Sequence, residues 1–213
     1  MDPIAGIRMD YKMRSLTEAD TAADPLEQFG RWWGEAIASN IDEVNAMTLA
    51  TAGHAGKPSA RIVLLKGVKP EGFEFFTNYE SSKAVEMAAN EYVALVFFWK
   101  ELQRQVRIEG TVSKTAASVS DEYFNSRPRE SRIGAWSSPQ SHIISSREML
   151  DERMADSKKK FEGKEDIPRP DFWGGYIVKP LKIEFWQGRP NRLHDRIEYV
   201  LENGSWIKRR LAP

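Results

Sequence analysis

Apolar residues first settle into a helical rhythm at Leu26, Phe29, Trp33 and Ile37, directly after Asp24, a good N-cap, and Pro25, which suits the first helical position. Residues 1–20 ahead of them are polar and aperiodic and predict a mobile arm. From Ala46 to about Lys114 the pattern changes to strands in AMTLATA, SARIVLLKGV, FEFFTN, YVALVFFW and RQVRIEGTVSK. GHAGKP and KPEG between the first three runs are short enough for antiparallel hairpins. SSKAVEMAAN, residues 81–90, interrupts them as a short helix. Residues 117–161 return to helical character around an irregular RPRESRIGAWSSPQS and end in a charged helix, SREMLDERMADSKKKF. After the loop GKEDIPRPDF, the runs GGYIVKPLKIEFWQG, RLHDRIEYVLE and SWIKRRL read as strands. Asn203-Gly204 joins the last two as a tight hairpin.

Helices inserted among short antiparallel strands, rather than alternating with them one for one, argue against a doubly wound sheet. The expected class is mainly β with peripheral helices, a closed or split antiparallel barrel, because closure disposes of exposed strand edges. One domain is expected over residues 21–213. No apolar run approaches the roughly twenty residues of a spanning helix, and the N-terminus lacks a secretory apolar core. The chain has no cysteine, which agrees with a reducing compartment, so the cytoplasm is the expected location. Lys plus Arg and Asp plus Glu are 31 each, so no net field draws the protein to nucleic acid or to a membrane. An anion site must therefore be local. Seven tryptophans and ten phenylalanines suggest broad apolar faces, in the core or at a subunit interface.

There is no Gly-rich dinucleotide fingerprint, P-loop or serine-hydrolase elbow, and His54, His142 and His194 have no metal-ligand spacing. A phosphate ligand would thus be held mainly by side chains. Three segments suit one. At Thr77–Lys83 a strand gives way to a helix, so free N–H groups, the Ser81 and Ser82 hydroxyls and the Lys83 ammonium can converge; a plain Ser-capped helix start is the alternative. RPRESR, residues 127–132, follows Tyr123 and Phe124 and carries three arginines, whose forks match phosphate oxygens; a solvated charged loop is its alternative. In RLHDR, strand alternation predicts Arg192, His194 and Arg196 on one face and Leu193 and Ile197 on the other. The same alternation sets Arg61 and Lys66 on opposite faces of one strand. His54 and His142 read as surface residues.

Taken together, RIVLLK (61–66), FFTN (75–78), RQVRIEG (104–110), YFNSRPRESRIGAW (123–136), PQS (139–141), FWGG (172–175) and EFWQGRPNRLHDR (184–196) resemble the pyridoxamine 5′-phosphate oxidase family, from about Ile7 to the terminal RLAP. The resemblance implies a homodimer of an FMN-binding split β-barrel, with FMN in clefts between subunits and a C-terminal dimerisation and substrate-contact region from about residue 171. It implies an FMN site of Arg61, Ile62, Val63, Leu64, Leu65, Lys66, Phe76, Thr77, Ser82, Lys83, Gln105, Gln140, Ser141, Trp186 and Arg196. The substrate phosphate would rest on Lys66, Tyr123, Arg127 and Ser131. Arg192, Leu193 and His194 would lie against the substrate ring, with Arg192 and His194 at the reacting carbon, and Arg8 and Tyr11 of the arm would cover it. Two positions depart from the family: Ser82 stands where an arginine is usual, and Phe76 where a tyrosine is frequent.

The implied reaction moves a hydride from C4′ of pyridoxamine or pyridoxine 5′-phosphate to flavin N5, after which O2 reoxidises the flavin and leaves as H2O2. Two other readings remain open at this stage. One is a flavin split-barrel reductase of another substrate, and the other is a protein that binds FMN or pyridoxal phosphate without turnover.

Overall fold

The computed structural model describes residue 11 and residues 13–213. The expected site residue Arg8 lies outside them. Among the described residues nine strands form one hydrogen-bonded sheet: β1 (Ala46–Ala52), β2 (Pro58–Leu64), β3 (Gly67–Lys69), β4 (Gly72–Asn78), β5 (Tyr92–Trp99), β6 (Arg104–Lys114), β7 (Trp173–Gln187), β8 (Asp195–Glu202) and β9 (Ser205–Leu211). Neighbours run β2-β1-β5-β6-β7-β4-β3, with β8 on β7 and β9 on β8. The pairs β3–β4, β4–β7, β7–β8 and β8–β9 are antiparallel. Five α-helices of the described residues, α1 (Pro25–Ala38), α2 (Ser82–Ala89), α3 (Ala117–Ser126), α4 (Arg129–Ser137) and α5 (Arg147–Lys160), accompany the strands. Among the described residues, no helix is long and apolar enough to cross a membrane.

Contacts divide the chain into two compact units. Unit 1 holds the described residues up to Leu49, with Ala94–Gly110 and Pro180–Pro213. Its interior is aromatic: Phe29 lies 5.3 Å from Phe97, and Phe185 meets Trp32 and Tyr199 edge-on at 5.2 and 5.7 Å. Such edge-to-face pairs add to the burial of the rings themselves. Unit 2 holds Ala50–Val93 and Thr111–Lys179. One cluster of its core joins Phe124, Ile133, Phe161, Ile167 and Trp173.

The turn and cap signals hold. The Asp24 carboxylate accepts the Leu26 and Glu27 N–H groups at 2.7 and 3.1 Å, and Asn203 and Gly204 have φ of 49° and 79°, as a two-residue hairpin requires. Pro180, which cannot donate to a ladder, stands in β7 between the residues paired with β4 (173–178) and those paired with β8 (182–187).

Four local expectations are corrected. The face that α1 buries is Pro25, Gln28, Phe29, Trp32 and Ala36, while Ile37 is 52% exposed; the helix is turned by about one residue because its core contacts come from Trp32 as well as Phe29. The run 59–68 is two strands, because β2 pairs with β1 whereas Lys66 N–H and β3 turn to β4. The segment expected to be irregular contains α4: Pro128 leads into it, and Ile133 and Ser137, four residues apart, supply its buried side. Finally, β8 starts only at Asp195, so Arg192 and His194 lie ahead of the strand and the predicted alternation with Arg196 does not apply to them.

Part of the expected arm is packed. Leu16 is buried, and Thr17 and Asp20 form a reciprocal capping box around a short 3-10 turn at Glu18–Asp20.

Candidate active site

Unit 2 contains a cavity of about 520 Å³ whose walls come from β2, β4, α2, α3, α4 and the turns beside them. Eleven residues singled out from the sequence line it: Ile62, Val63, Leu64, Lys66, Phe76, Thr77, Lys83, Tyr123, Arg127, Ser131 and Gln140. Asn78, Pro128 and Trp173 line it as well. The sequence reading missed these three, although each lies inside or beside a quoted motif. Among the described residues three lining side chains are cations and none is a carboxylate, which favours anions in the cavity.

Local structure explains how each group is presented. β2 is the terminal strand of the sheet path, and Ile62 (64% exposed) and Leu64 alternate onto its more exposed face. β4 ends at Asn78, and α2 starts four residues later. At this junction the buried Lys83 ammonium bonds the hydroxyls of Thr77 and Ser81 at 3.2 and 3.3 Å. Neither hydroxyl neutralises it. Burial pushes the Lys83 pKa down, and the Arg61 charge acts in the same direction while Glu86 opposes it. Ser81 does not cap α2 with its side chain; its Oγ donates to the Asn78 carbonyl instead. Gln140 Oε1 accepts from Thr77 Oγ1 at 3.2 Å and from Asn78 N–H at 3.4 Å, which ties the 138–142 loop to the end of β4.

The opposite wall is aromatic and basic. The Phe76 and Tyr123 rings stack at 3.9 Å and 21°, and lie 14° and 9° from parallel to the Trp173 ring, at 5.8 and 6.2 Å respectively. Gly175 allows this, since a Cβ there would meet Phe76 Cε1 at 2.7 Å and would also strike Thr115. Lys66 Nζ stands 5.9 Å over the Tyr123 ring. The Arg127 guanidinium lies 4.6 Å over Trp173, and its Nη1 is buried without a hydrogen-bond partner. Burial lowers the Arg127 pKa, against the opposing influence of Tyr123. A guanidinium that lines the cavity and carries a buried nitrogen without a partner among the described residues is a group prepared for an oxyanion.

Not every arginine of RPRESR serves the cavity. Arg129 donates to the carbonyls of Lys164 and Phe161, both at 2.6 Å, and so fastens the α5–β7 loop. Arg132 has a buried Nε without a partner but does not line the cavity.

Four other expected FMN contacts of unit 2 stand off the cavity lining. Arg61 points to the other face of β2, bonding Thr51, Ser59 and Glu86, with the Glu86 carboxylate at 3.1 Å. Leu65 is buried, Ser82 is the exposed first residue of α2, and Ser141 sits in a turn with φ of 70°. His54 and His142 are exposed, as expected.

The remaining candidates belong to unit 1. His194 lies 4.6 Å from the Trp186 ring, and Tyr11 meets Trp186 edge-on at 5.8 Å and His194 at 5.9 Å. Tyr11 sits on Gly188, where a Cβ would come within 2.7 Å of its ring. The Arg189 N–H donates to His194 Nδ1 at 3.1 Å, so a neutral imidazole carries its proton on Nε2 and can donate from there. Burial, and then the Arg192 charge, push the His194 pKa below its ordinary value. Leu193 is 67% exposed. Arg196 grips both Glu184 oxygens at 2.8 and 3.0 Å. Gln105 is half-buried on β6, on the opposite face from Arg104 and Val106.

Comparison with known proteins adds an independent line. The chain matches the family model described as pyridoxamine 5′-phosphate oxidase over residues 34–158, and that of the pyridoxine 5′-phosphate oxidase C-terminal dimerisation region over residues 173–213. It is 51% identical to a pyridoxine/pyridoxamine 5′-phosphate oxidase from Salinibacter ruber, with all of both chains covered. It is 54% identical to one from Microcystis aeruginosa, over 99% of this chain and 98% of the other. Among solved structures it superposes on PhzG from Burkholderia lata, determined in complex with tetrahydrophenazine-1-carboxylic acid. There the TM-score is 0.89 at 25% identity, over 96% of this chain and 100% of that one. A pyridoxamine 5′-phosphate oxidase-related, FMN binding protein from Nostoc punctiforme shares the fold, with a TM-score of 0.71 at 14% identity over 91% of this chain and 100% of that one. The mainly antiparallel split-barrel class expected from the sequence agrees with these matches.

Proposed function

The chain belongs to the pyridoxamine 5′-phosphate oxidase family, and from that premise we propose that it is an FMN-dependent oxidase forming pyridoxal 5′-phosphate from pyridoxamine or pyridoxine 5′-phosphate. The observation that carries this reading is the cavity itself. Among the described residues its lining has three cationic side chains, one with a buried unpartnered guanidinium nitrogen, and no acidic group. Both ligands of the reaction, FMN and the B6 substrate, are planar aromatic rings bearing a phosphate.

We assign the FMN phosphate to Lys83 and Thr77, with residues 62–66 at the end of β2 and just beyond it, Phe76 and Gln140 along the cofactor, and Arg61, Ser82 and Ser141 at its margin. The substrate phosphate is assigned to Lys66, Tyr123, Arg127 and Ser131. FMN, when bound, supplies the two-electron acceptor and passes the electrons to O2, which leaves as H2O2. The protein's share is orientation and charge. Arg127 and Lys66 anchor the phosphate end, which fixes where C4′ lies. His194, neutral and protonated on Nε2, offers a hydrogen bond to an acceptor on the substrate ring, and Arg192 offers a positive charge beside it. Gln105, Trp186 and Arg196 complete the cofactor's surroundings. We assign the two sets of residues to one site shared between two copies of the chain, in a homodimer built through the C-terminal region.

The test is direct. The purified protein should carry or take up FMN with a yellow flavin spectrum, and release H2O2 and pyridoxal phosphate on addition of pyridoxamine phosphate in air. FMN binding with no flavin bleaching by that substrate under anaerobic conditions would sink the oxidase reading.

A further inference from the structure

The segment Arg189–His194 carries Arg192 and His194 on strained backbone, with one internal backbone bond from the Leu193 N–H to the Pro190 carbonyl at 3.1 Å. Asn191 and Arg192 have φ of 56° and 61°, two consecutive left-handed residues with side chains. Such a conformation persists only where surrounding contacts over-determine it. Those contacts converge on Asp195, the residue after His194.

The Asp195 carboxylate accepts two hydrogen bonds and has a further cation beside it. Its Oδ1 accepts from Arg210 Nη1 at 3.0 Å, its Oδ2 accepts the Leu16 N–H at 3.0 Å, and Arg189 Nε lies 3.4 Å from Oδ2. Arg210 in turn forks onto Glu18 at 2.7 and 2.8 Å and donates to the Leu16 carbonyl at 3.0 Å. Arg189 Nη1 reaches the Arg14 carbonyl at 3.3 Å, while its backbone N–H orients His194. One carboxylate thus joins both ends of the strained loop, strand β9 and the segment that leads back to Tyr11, which packs on His194.

We propose that Asp195 is a positioning residue for the oxidase reaction. It locks segment 14–18 and loop 189–194 into one element, so that Tyr11 and His194 are presented to the substrate together. The inference rests on the functional reading above and adds a residue that contacts neither ligand in it. The chemistry demands a carboxylate at this position. An asparagine has one acceptor oxygen and would turn its amide donors toward either the Leu16 N–H or Arg210, so one of the two contacts becomes donor against donor.

The experiment uses the full-length, FMN-saturated protein and the Asp195→Asn variant. Because a hydrogen bond to a charged group is lost, kcat/KM for pyridoxamine phosphate is expected to fall about tenfold or more, with the FMN dissociation constant kept within about twofold. Tryptic cleavage after Arg14, followed by mass spectrometry, should accelerate at least about fivefold as the segment undocks. Adding Tyr11→Ala to Asp195→Asn should cost no more than the larger single loss, because both act through one element. Arg210→Gln cuts the same link from β9 and carries the same prediction should Asp195→Asn fail to fold. Unchanged cleavage after Arg14, an activity loss matched by FMN loss, or fold-losses that multiply in the double variant each overturn the proposal. A wild-type protein without oxidase activity would sink the functional reading alone, since the cleavage comparison still decides whether Asp195 docks the segment.

Discussion

Arg127 stands over Trp173, its guanidinium carbon 4.6 Å from the ring centre, with one terminal nitrogen buried and without a hydrogen-bond partner among the described residues. The aromatic face holds the cation in place without using its donors. A flat ring supports the guanidinium plane while leaving the N–H fork free for a ligand.

That arrangement predicts the behaviour of Arg127 variants. Arg127→Met should raise KM for pyridoxamine phosphate about tenfold to a hundredfold, as expected for a lost charge-assisted bond, with little change in FMN affinity. Arg127→Lys keeps the charge but not the fork and should fall between. Steady-state kinetics beside FMN titration checks this; a variant that loses FMN and retains KM would move Arg127 to the cofactor.

Lys83 makes a paired prediction about binding and pH. Replacing it by methionine should weaken FMN binding about tenfold or more. In the FMN-free protein the sign reverses, because the buried ammonium is a cost there. Its folded-state pKa is lowered, chiefly by burial, below the value of 10.5 that an unfolded lysine keeps. Between those two values the unfolded chain binds the extra proton, so the wild-type stability contribution rises with pH across that window. Urea melts of FMN-free wild type and Lys83→Met at several alkaline pH values should show a rise in the difference that favours wild type. A flat difference would contradict the burial argument.

His194 should titrate below its ordinary value of 6.5, first because it is partly desolvated and second because Arg192 is close. With the folded pKa depressed, the neutral ring's contribution is intact above about 6.5 and is lost as pH falls through the folded value, where the unfolded chain is already protonated. The imidazole resonances in NMR should therefore titrate below that value, and Arg192→Ala should move the midpoint upward. A downward shift in the variant would contradict the electrostatic assignment.

Gly175 tests the packing behind the cavity. Gly175→Ala places a methyl against Phe76 and Thr115, so the Phe76–Tyr123 stack must shift. Overpacking of this kind costs about 1–3 kcal/mol, visible as a lower Tm, and substrate affinity should fall with it because Tyr123 moves. An unchanged Tm together with unchanged KM would show that the neighbours yield without cost.

Much of this molecule is written locally in its sequence. The Asp24-Pro25 helix start, the Asn203-Gly204 hairpin and most strand runs follow from residues a few positions apart, because caps and turns are short-range interactions. The stock of phosphate-binding chemistry was equally legible, since Lys83, Arg127 and Ser131 lie in segments whose composition suits an anion, while Lys66 was pointed out by the family resemblance. Which of the cations stays free was settled only by tertiary structure. Arg61 and Arg196 look as available as Arg127 in the sequence, yet Arg61 meets Glu86, 25 residues away, and Arg196 meets Glu184 across the β7–β8 ladder. The buried face of α1, the break after Leu64 and the backbone that carries Arg192 and His194 depend in the same way on partners distant in the chain. Local sequence encodes what each side chain can do; whether it is spent on the protein or kept for a ligand depends on which charges the fold brings within reach.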